Sequence, residues 1–343
     1  MLSVVSVRGL ATEGTEKDAE QHGIRTKEPD LEIMSKQSIF TPKSWLAFEL
    51  NVLRRLQFKT AALPFTSNPT LGLYLKRSDT RVLANDPLQS AWTKALAAIQ
   101  NNGERLTDED INAVLDDVYV PRYKLQNPAL RNWFNETDSW WFDNIRQNLE
   151  KLRSPFGFAM AASLVMAVGD YVLSFTEDTL ELRQPLSNVY RRLWTIMPEA
   201  VNNGQNNSCQ NKSSDEFLAE NFADLMFLRL PATGGGGRAA VPDKVVWREE
   251  WLRGGSDFWT DFEASRHGKL GGPVETKSQY LKILGETLRT ASHIKTWAIA
   301  HVEGGLVSTQ EIVNVVGSIR RVDTIFTKDF SELTGTRAVV ITA

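Results

Sequence analysis

The chain has 343 residues, 42% hydrophobic and 24% charged, with a formal net charge of −3 and a sequence pI near 5.9. This is ordinary globular material, long enough for one large α/β domain or two smaller ones. Mild acidity excludes a surface that is basic throughout, so any nucleic-acid contact must come from a local patch. The single cysteine, Cys209, excludes an internal disulfide framework and a cysteine-built zinc site.

Residues 1–33 show little apolar periodicity. The opening MLSVVSVRGLAT has too short an apolar core for a secretory signal, and Glu13, Glu16, Asp18 and Glu20 follow at once. The segment reads as a disordered tail or an over-extended start, and a soluble, cytoplasmic protein is expected. Met34 opens a better-patterned stretch. From Pro42 to Leu56, Trp45, Phe48, Val52, Leu53 and Leu56 fall at helical spacing, with Glu49 out of place inside the stripe.

AALPF (61–65) then reads as a short buried strand, TSNPTLGLYLKR as a turn and helix, RVLAND (81–86) as a second strand ending on an acid, and SAWTKALAAIQNN as an amphipathic helix. Strand, helix, strand, helix predicts a doubly wound parallel sheet.

The middle of the chain reads as helical. Thr107 caps TDEDINAVLDDVYV, with acids in its first turn. DSWWFDNIRQNLEKL, an apolar helix after Pro155, and PLSNVYRRLWTIM follow. The apolar run 156–169 is only fourteen residues long; a bilayer needs about 20, so it is expected to be a core helix and no membrane contact is expected. Residues 202–216 are a polar low-complexity loop.

FADLMFLRLP is a strand, GGGGRAAVPDK a flexible exit, and the remainder is again α/β: KSQYLKILGETLRTA, TWAIAHV, a helix opened by a Ser308/Glu311 capping box, and a terminal strand pair, VDTIFTKDF and TRAVVITA. The expected organisation is an α/β domain over 34–105 and 217–343, with a helical subdomain inserted over 106–216. His22, His267, His293 and His301 have no metal-ligand spacing, so no metal is expected.

The order of these pieces resembles the Dam-type (D12-class) adenine-specific DNA methyltransferases over most of 40–343. LPFTSNPT (63–70) stands where that family has a glycine-rich turn, VLANDP (82–87) where a strand ends in Asn-Asp, and ADLMFLRLPA (223–232) where a strand ends in Asp-Pro-Pro-Tyr. RNWFNE (131–136) resembles an Arg-x-x-Phe-Asn stretch of the recognition region. The resemblance implies a Rossmann-like methyltransferase sheet with an inserted helical subdomain. It also implies S-adenosylmethionine held near Pro64, Phe65 and Asp86, with Asp86 on the ribose, and a flipped adenine whose amino group meets the catalytic Asp.

The departures are as informative as the matches. Leu63 replaces the family's glutamate, and Ser67, Asn68 and Pro69 stand where its glycines should be. In the catalytic segment Arg229 replaces Asp, Leu230 a proline and Ala232 the tyrosine, leaving only Pro231. Arginine has donors alone and cannot accept a hydrogen bond from an amino group. The expectation is therefore a fold that has lost methyl transfer and acts by binding, with DNA or an active methyltransferase subunit as partner.

An active methyltransferase with unusual motifs is the alternative. It needs a substitute acceptor, and Asp224, five residues upstream of Arg229, lies at the wrong end of the strand. A module that binds only protein is the third reading. Arg229 itself reads either as a solvent-facing strand-end cation or as a phosphate contact. Trp133, Trp140 and Trp141 read as base-stacking candidates or, more simply, as core.

Overall fold

A computed structural model describes residues 45–117, 124–231, 238, 241–303 and 305–343. The expected 1–33 tail, Ala232 and the four glycines 234–237 lie outside the described residues. The chain opens with α1 (Trp45–Leu53), β1 (Thr60–Leu63), α2 (Thr70–Arg77), β2 (Arg81–Asn85) and α3 (Gln89–Ala95), which continues as a π-helix over Leu96–Gln100. A helical layer follows, made of α4 (Asp108–Val114), α5 (Glu136–Asn148), α6 (Pro155–Val172) and α7 (Leu186–Thr195).

Next come β3 (Ser208–Gln210), α8 (Ser214–Glu220), β4 (Leu225–Arg229), α9 (Asp243–Arg253), α10 (Phe258–Ser265) and α11 (Lys277–Thr290). The chain closes with β5 (Thr296–Glu303), α12 (Thr309–Gly317), β6 (Thr324–Phe330), the one-turn α13 (Ser331–Thr334) and β7 (Thr336–Thr342).

The strands form one seven-stranded mixed sheet in the order β3-β2-β1-β4-β5-β7-β6. β1 to β5 run parallel, and β7 lies antiparallel between β5 and β6. The fold is α/β and compatible with a Rossmann-like plan. Side chains alternate across the sheet as the two-residue strand period requires. Ala62, Met226, Leu228, Trp297, Ile299, Val339 and Ile341 face a core closed by α8, α11 and α12. Ala61, Leu63, Leu225, Phe227, Ala298, Ala300 and Val340 face the other core, closed by α1, α2 and α3. Both faces are covered, which is why these strands are apolar runs rather than alternating ones.

The helical layer has its own core, built from α4 to α7. Local signals set its boundaries. The Thr107 side chain caps α4 in a reciprocal box with Asp110, and Ser154 caps α6, with Pro155 at its first position. Two differences from the sequence expectation stand out. Residues 208–210, inside the stretch read as a polar loop, pair in parallel with Leu83–Asn85 as the edge strand β3. The strand is three residues long and carries no apolar pattern that sequence could show.

The helical core is also completed from outside the 106–216 segment. Trp247, Trp251 and Leu252 of α9 are buried in it. A Cβ at Gly169 would stand 2.2 Å from the Trp247 ring, so glycine on α6 permits the two helices to meet. α6 is long and apolar enough to span a bilayer by composition alone, but Ala159, Ala161, Ala162, Val165, Met166 and Val168 are fully buried against protein.

Candidate functional site

In an open parallel sheet, ligands sit outside the carboxyl ends of the strands where the order reverses. Here the reversal lies between β1 and β4: the chain steps outward from β1 to β2 and β3, and from β4 to β5 in the opposite direction. The sequence candidates Pro64, Phe65, Asp86, Arg229, Leu230 and Pro231 all fall at these strand ends, so the fold brings them to one place. What each side chain does there differs from expectation.

Asp86 follows β2 and is only 3% exposed. Its Oδ2 accepts from the Ser67 amide at 2.7 Å and its Oδ1 from the Leu88 amide at 2.9 Å. The carboxylate thus clamps the turn after β1 to the turn after β2. Burial raises its pKa to about 6; the two amides and Arg266 oppose that rise, and Glu249 adds to it. Asn85 reinforces the clamp, donating to the carbonyls of Pro64 and Lys212 at 3.0 Å each.

Within the turn, the left-handed backbone falls on Ser67, at φ 51°. Pro69 has φ −70° and serves as the N-cap of α2. The position that wants a glycine is therefore one residue, and it is a serine.

Arg229 neither faces solvent nor stands free. It ends β4 on the face covered by α1, where its Nε and Nη2 meet the two carboxylate oxygens of Glu49 at 2.8 and 2.5 Å. Glu49 is fully buried and the Arg229 side chain is 15% exposed. The guanidinium also lies over the Phe227 ring. The acid that looked misplaced in the first helix and the arginine that looked misplaced at the strand end are thus one bidentate ion pair. Asp224 sits at the other end of the sheet, accepting from the Lys59 and Thr60 amides at 2.9 Å each.

Around the strand ends lies a loop that the sequence reading passed over, RHGKLGG (266–272). Gly268 and Gly271 have φ of 73° and 80°. A Cβ at Gly271 would lie 3.3 Å from Pro231 and 3.4 Å from Phe65, and one at Gly272 would overlap the Arg266 carbonyl. The loop therefore packs on the ends of β1 and β4, with Leu270 buried in the same core as Phe65. The Arg266 guanidinium donates to the Gly271 carbonyl; burial lowers its pKa, while Asp86 and Glu249 hold its charge. Three glycines in seven residues were the available signal.

Glu249, fully buried on α9, accepts from the Gln89 and Ser90 amides at 3.0 and 2.6 Å and from Arg253 at 3.1 Å. It caps α3, whose own N-cap, Leu88, has no side-chain acceptor. The Tyr280 hydroxyl donates to the Pro231 carbonyl at 3.3 Å.

The aromatic candidates Trp133, Trp140 and Trp141 are half-buried, and Trp133 and Trp141 pack against the helical core. Phe134 stacks on Phe142 at 4.2 Å; the Trp133 indole donates to buried Glu250 at 2.7 Å and that of Trp141 to Ser187 at 3.1 Å. Trp259 and Arg238 also bond Glu250. RNWFNE is packing. Burial pushes the Cys209 thiol up to about 12, so it is no nucleophile. Two arginines that each stand next to a second one in sequence are engaged by protein: Arg320 stacks on Trp297 and donates to the carbonyls of Lys295 and Ser292, and Arg191 donates to Asn112. Among the described residues no cluster of three or more His, Cys, Asp or Glu could hold a metal ion.

No family model matches the chain, and no curated protein matches it.

Proposed function

We propose that the chain is a catalytically silent relative of the Dam-type adenine-specific DNA methyltransferases that acts by binding, either to DNA or to an active methyltransferase subunit. The observation that carries this reading is the Arg229–Glu49 pair. Where the resemblance calls for a carboxylate aimed at an adenine amino group, the strand ends in a cation paired through Nε and Nη2 with a buried acid on α1. Nothing in that arrangement accepts a proton or a hydrogen bond from a base.

The cofactor side supports the same reading. A ribose-binding acid must face its ligand, but Asp86 is buried, and each of its oxygens already accepts from a backbone amide. The residues present at these strand ends do not fit S-adenosylmethionine. The strand order, with a reversal between β1 and β4 and an antiparallel terminal pair, agrees with the sheet the resemblance implies.

Calorimetric titration of the folded protein with S-adenosylmethionine tests this first, followed by transfer of labelled methyl to adenine-containing DNA. No heat and no transfer are expected, together with DNA binding that weakens steeply as salt rises, or co-purification with an active methyltransferase. Methyl transfer by the purified chain would overturn the proposal in favour of an active enzyme.

A further inference from the structure

The helix α6 is apolar on nearly every side, yet Ser163, Ala167 and Asp170, spaced four and three residues apart along one stripe, are only half-buried. That stripe walls a half-open cavity of about 600 Å³, bounded also by α2, α3, α7 and the segment that follows α7. Small-molecule sites run from roughly 300 to 1,000 Å³. The walls are largely carbon, with Leu73, Ala98, Met160, Trp194, Met197 and Val201 among them. A second, separate cavity of about 340 Å³ also has Ala167 in its lining, with Tyr171, Phe175 and Leu193.

Three cations and three anions line this space, but they are not all paired with one another. Arg105 and Glu199 pair with each other at 2.8 Å, Asp170 is paired by Arg248, and Glu104 accepts from Ser154. Lys94 and Arg77 remain; neither forms an ion pair among the described residues, although Arg77 lies near the Tyr74 ring. Lys94 is half-buried, and burial lowers its pKa to about 7, with Arg248 acting the same way and Asp170 and Glu249 opposing. No carboxylate lies within ion-pair reach of its amine among the described residues; Asp170, paired with Arg248, and Glu249, paired with Arg253, act on it from farther off.

We propose that this cavity binds an organic monocarboxylate with an apolar body, its carboxylate on Lys94 and its body along Met160, Ala167 and Trp194. An uncharged apolar molecule would fill the walls and leave the ammonium uncompensated. A small, strongly hydrated anion would meet the ammonium and leave the walls wet. A carboxylate on a chain or ring satisfies both.

The test is calorimetry on the full chain with decanoate, 1-decanol and decyl phosphate as probes. Decanoate is expected to bind about tenfold more tightly than 1-decanol, the difference of one charge-assisted contact. Lys94→Met keeps the carbon stem and should erase that difference while leaving 1-decanol binding unchanged. Ala167→Phe should weaken both probes. Equal affinity for the acid and the alcohol, a preference that survives in Lys94→Met of native circular dichroism, decyl phosphate binding where decanoate does not, or no binding of decanoate to folded protein would each overturn the proposal.

Discussion

The carboxyl ends of β1, β2 and β4 and the cavity beside α6 belong to the same chain and treat charge in opposite ways. At the strand ends, Arg229 is matched by Glu49, Asp86 by two amides, and Glu249 by two amides and Arg253. In the cavity, Lys94 and Arg77 line apolar walls without an ionic partner among the described residues. A buried charge tied to amides or a counter-ion joins elements of the structure, whereas one without an ionic partner beside open space is poised for a ligand. The place where the fold predicts a site is therefore built as a joint, and an unforeseen place has the chemistry of a site.

The largest test of the joint is Arg229→Ala. It leaves Glu49 charged and buried without a partner, so a loss of about 3–5 kcal/mol in denaturant-measured stability is expected. The salt slope of any DNA binding should not change, since the guanidinium is turned onto Glu49 rather than toward a phosphate. Replacing the pair together, Glu49→Leu with Arg229→Met, should return stability to within about 1–2 kcal/mol of the parent. A single variant as stable as the parent would mean the pair carries no structural role.

Asp86 gives the next effect, and its sign is unusual for a carboxylate. Its folded pKa of about 6 lies above the ordinary 3.8, so between those values the folded state binds more protons than the unfolded one. Its contribution to stability is full below about pH 4 and is lost as pH rises through 6, a swing of about 3 kcal/mol. Asp86→Asn cannot titrate. Plotted as parent minus variant, stability should fall across pH 4 to 7; a flat difference would show that the carboxylate is not held in a low-dielectric clamp.

Those two residues also show what sequence could and could not reveal. Periodicity and capping signals located the principal strands and most of the helices, because Thr107 with Asp110 and Ser308 with Glu311 act within one turn. The strand-end position of Asp86 and Arg229 was legible for the same reason. Their chemistry was not, because the partners lie far along the chain: Glu49 is 180 residues from Arg229, and Glu249 is 160 from Gln89. Glu49 was visible only as an acid in the wrong place, with no local feature naming its partner. β3 escaped because three polar residues have no periodicity, and the cavity escaped because it is the absence of packing on one stripe of α6.

The smallest effect sharpens the comparison most. Ser67 holds a left-handed conformation at φ 51°, which costs an ordinary residue about 1–2 kcal/mol and glycine almost nothing. Part of that gain is returned as the greater freedom of glycine in the unfolded chain, so Ser67→Gly should stabilise by about 0.5–1 kcal/mol. The bond to Asp86 comes from the Ser67 amide, not its side chain, and so survives the change. If the strand ends are a joint because Asp86 is committed to that amide, Ser67→Gly will be more stable and still give no heat with S-adenosylmethionine. If the glycine alone restores binding, the obstacle was one Cβ in the turn, and the clamp opens readily enough for the crevice to count as a site again.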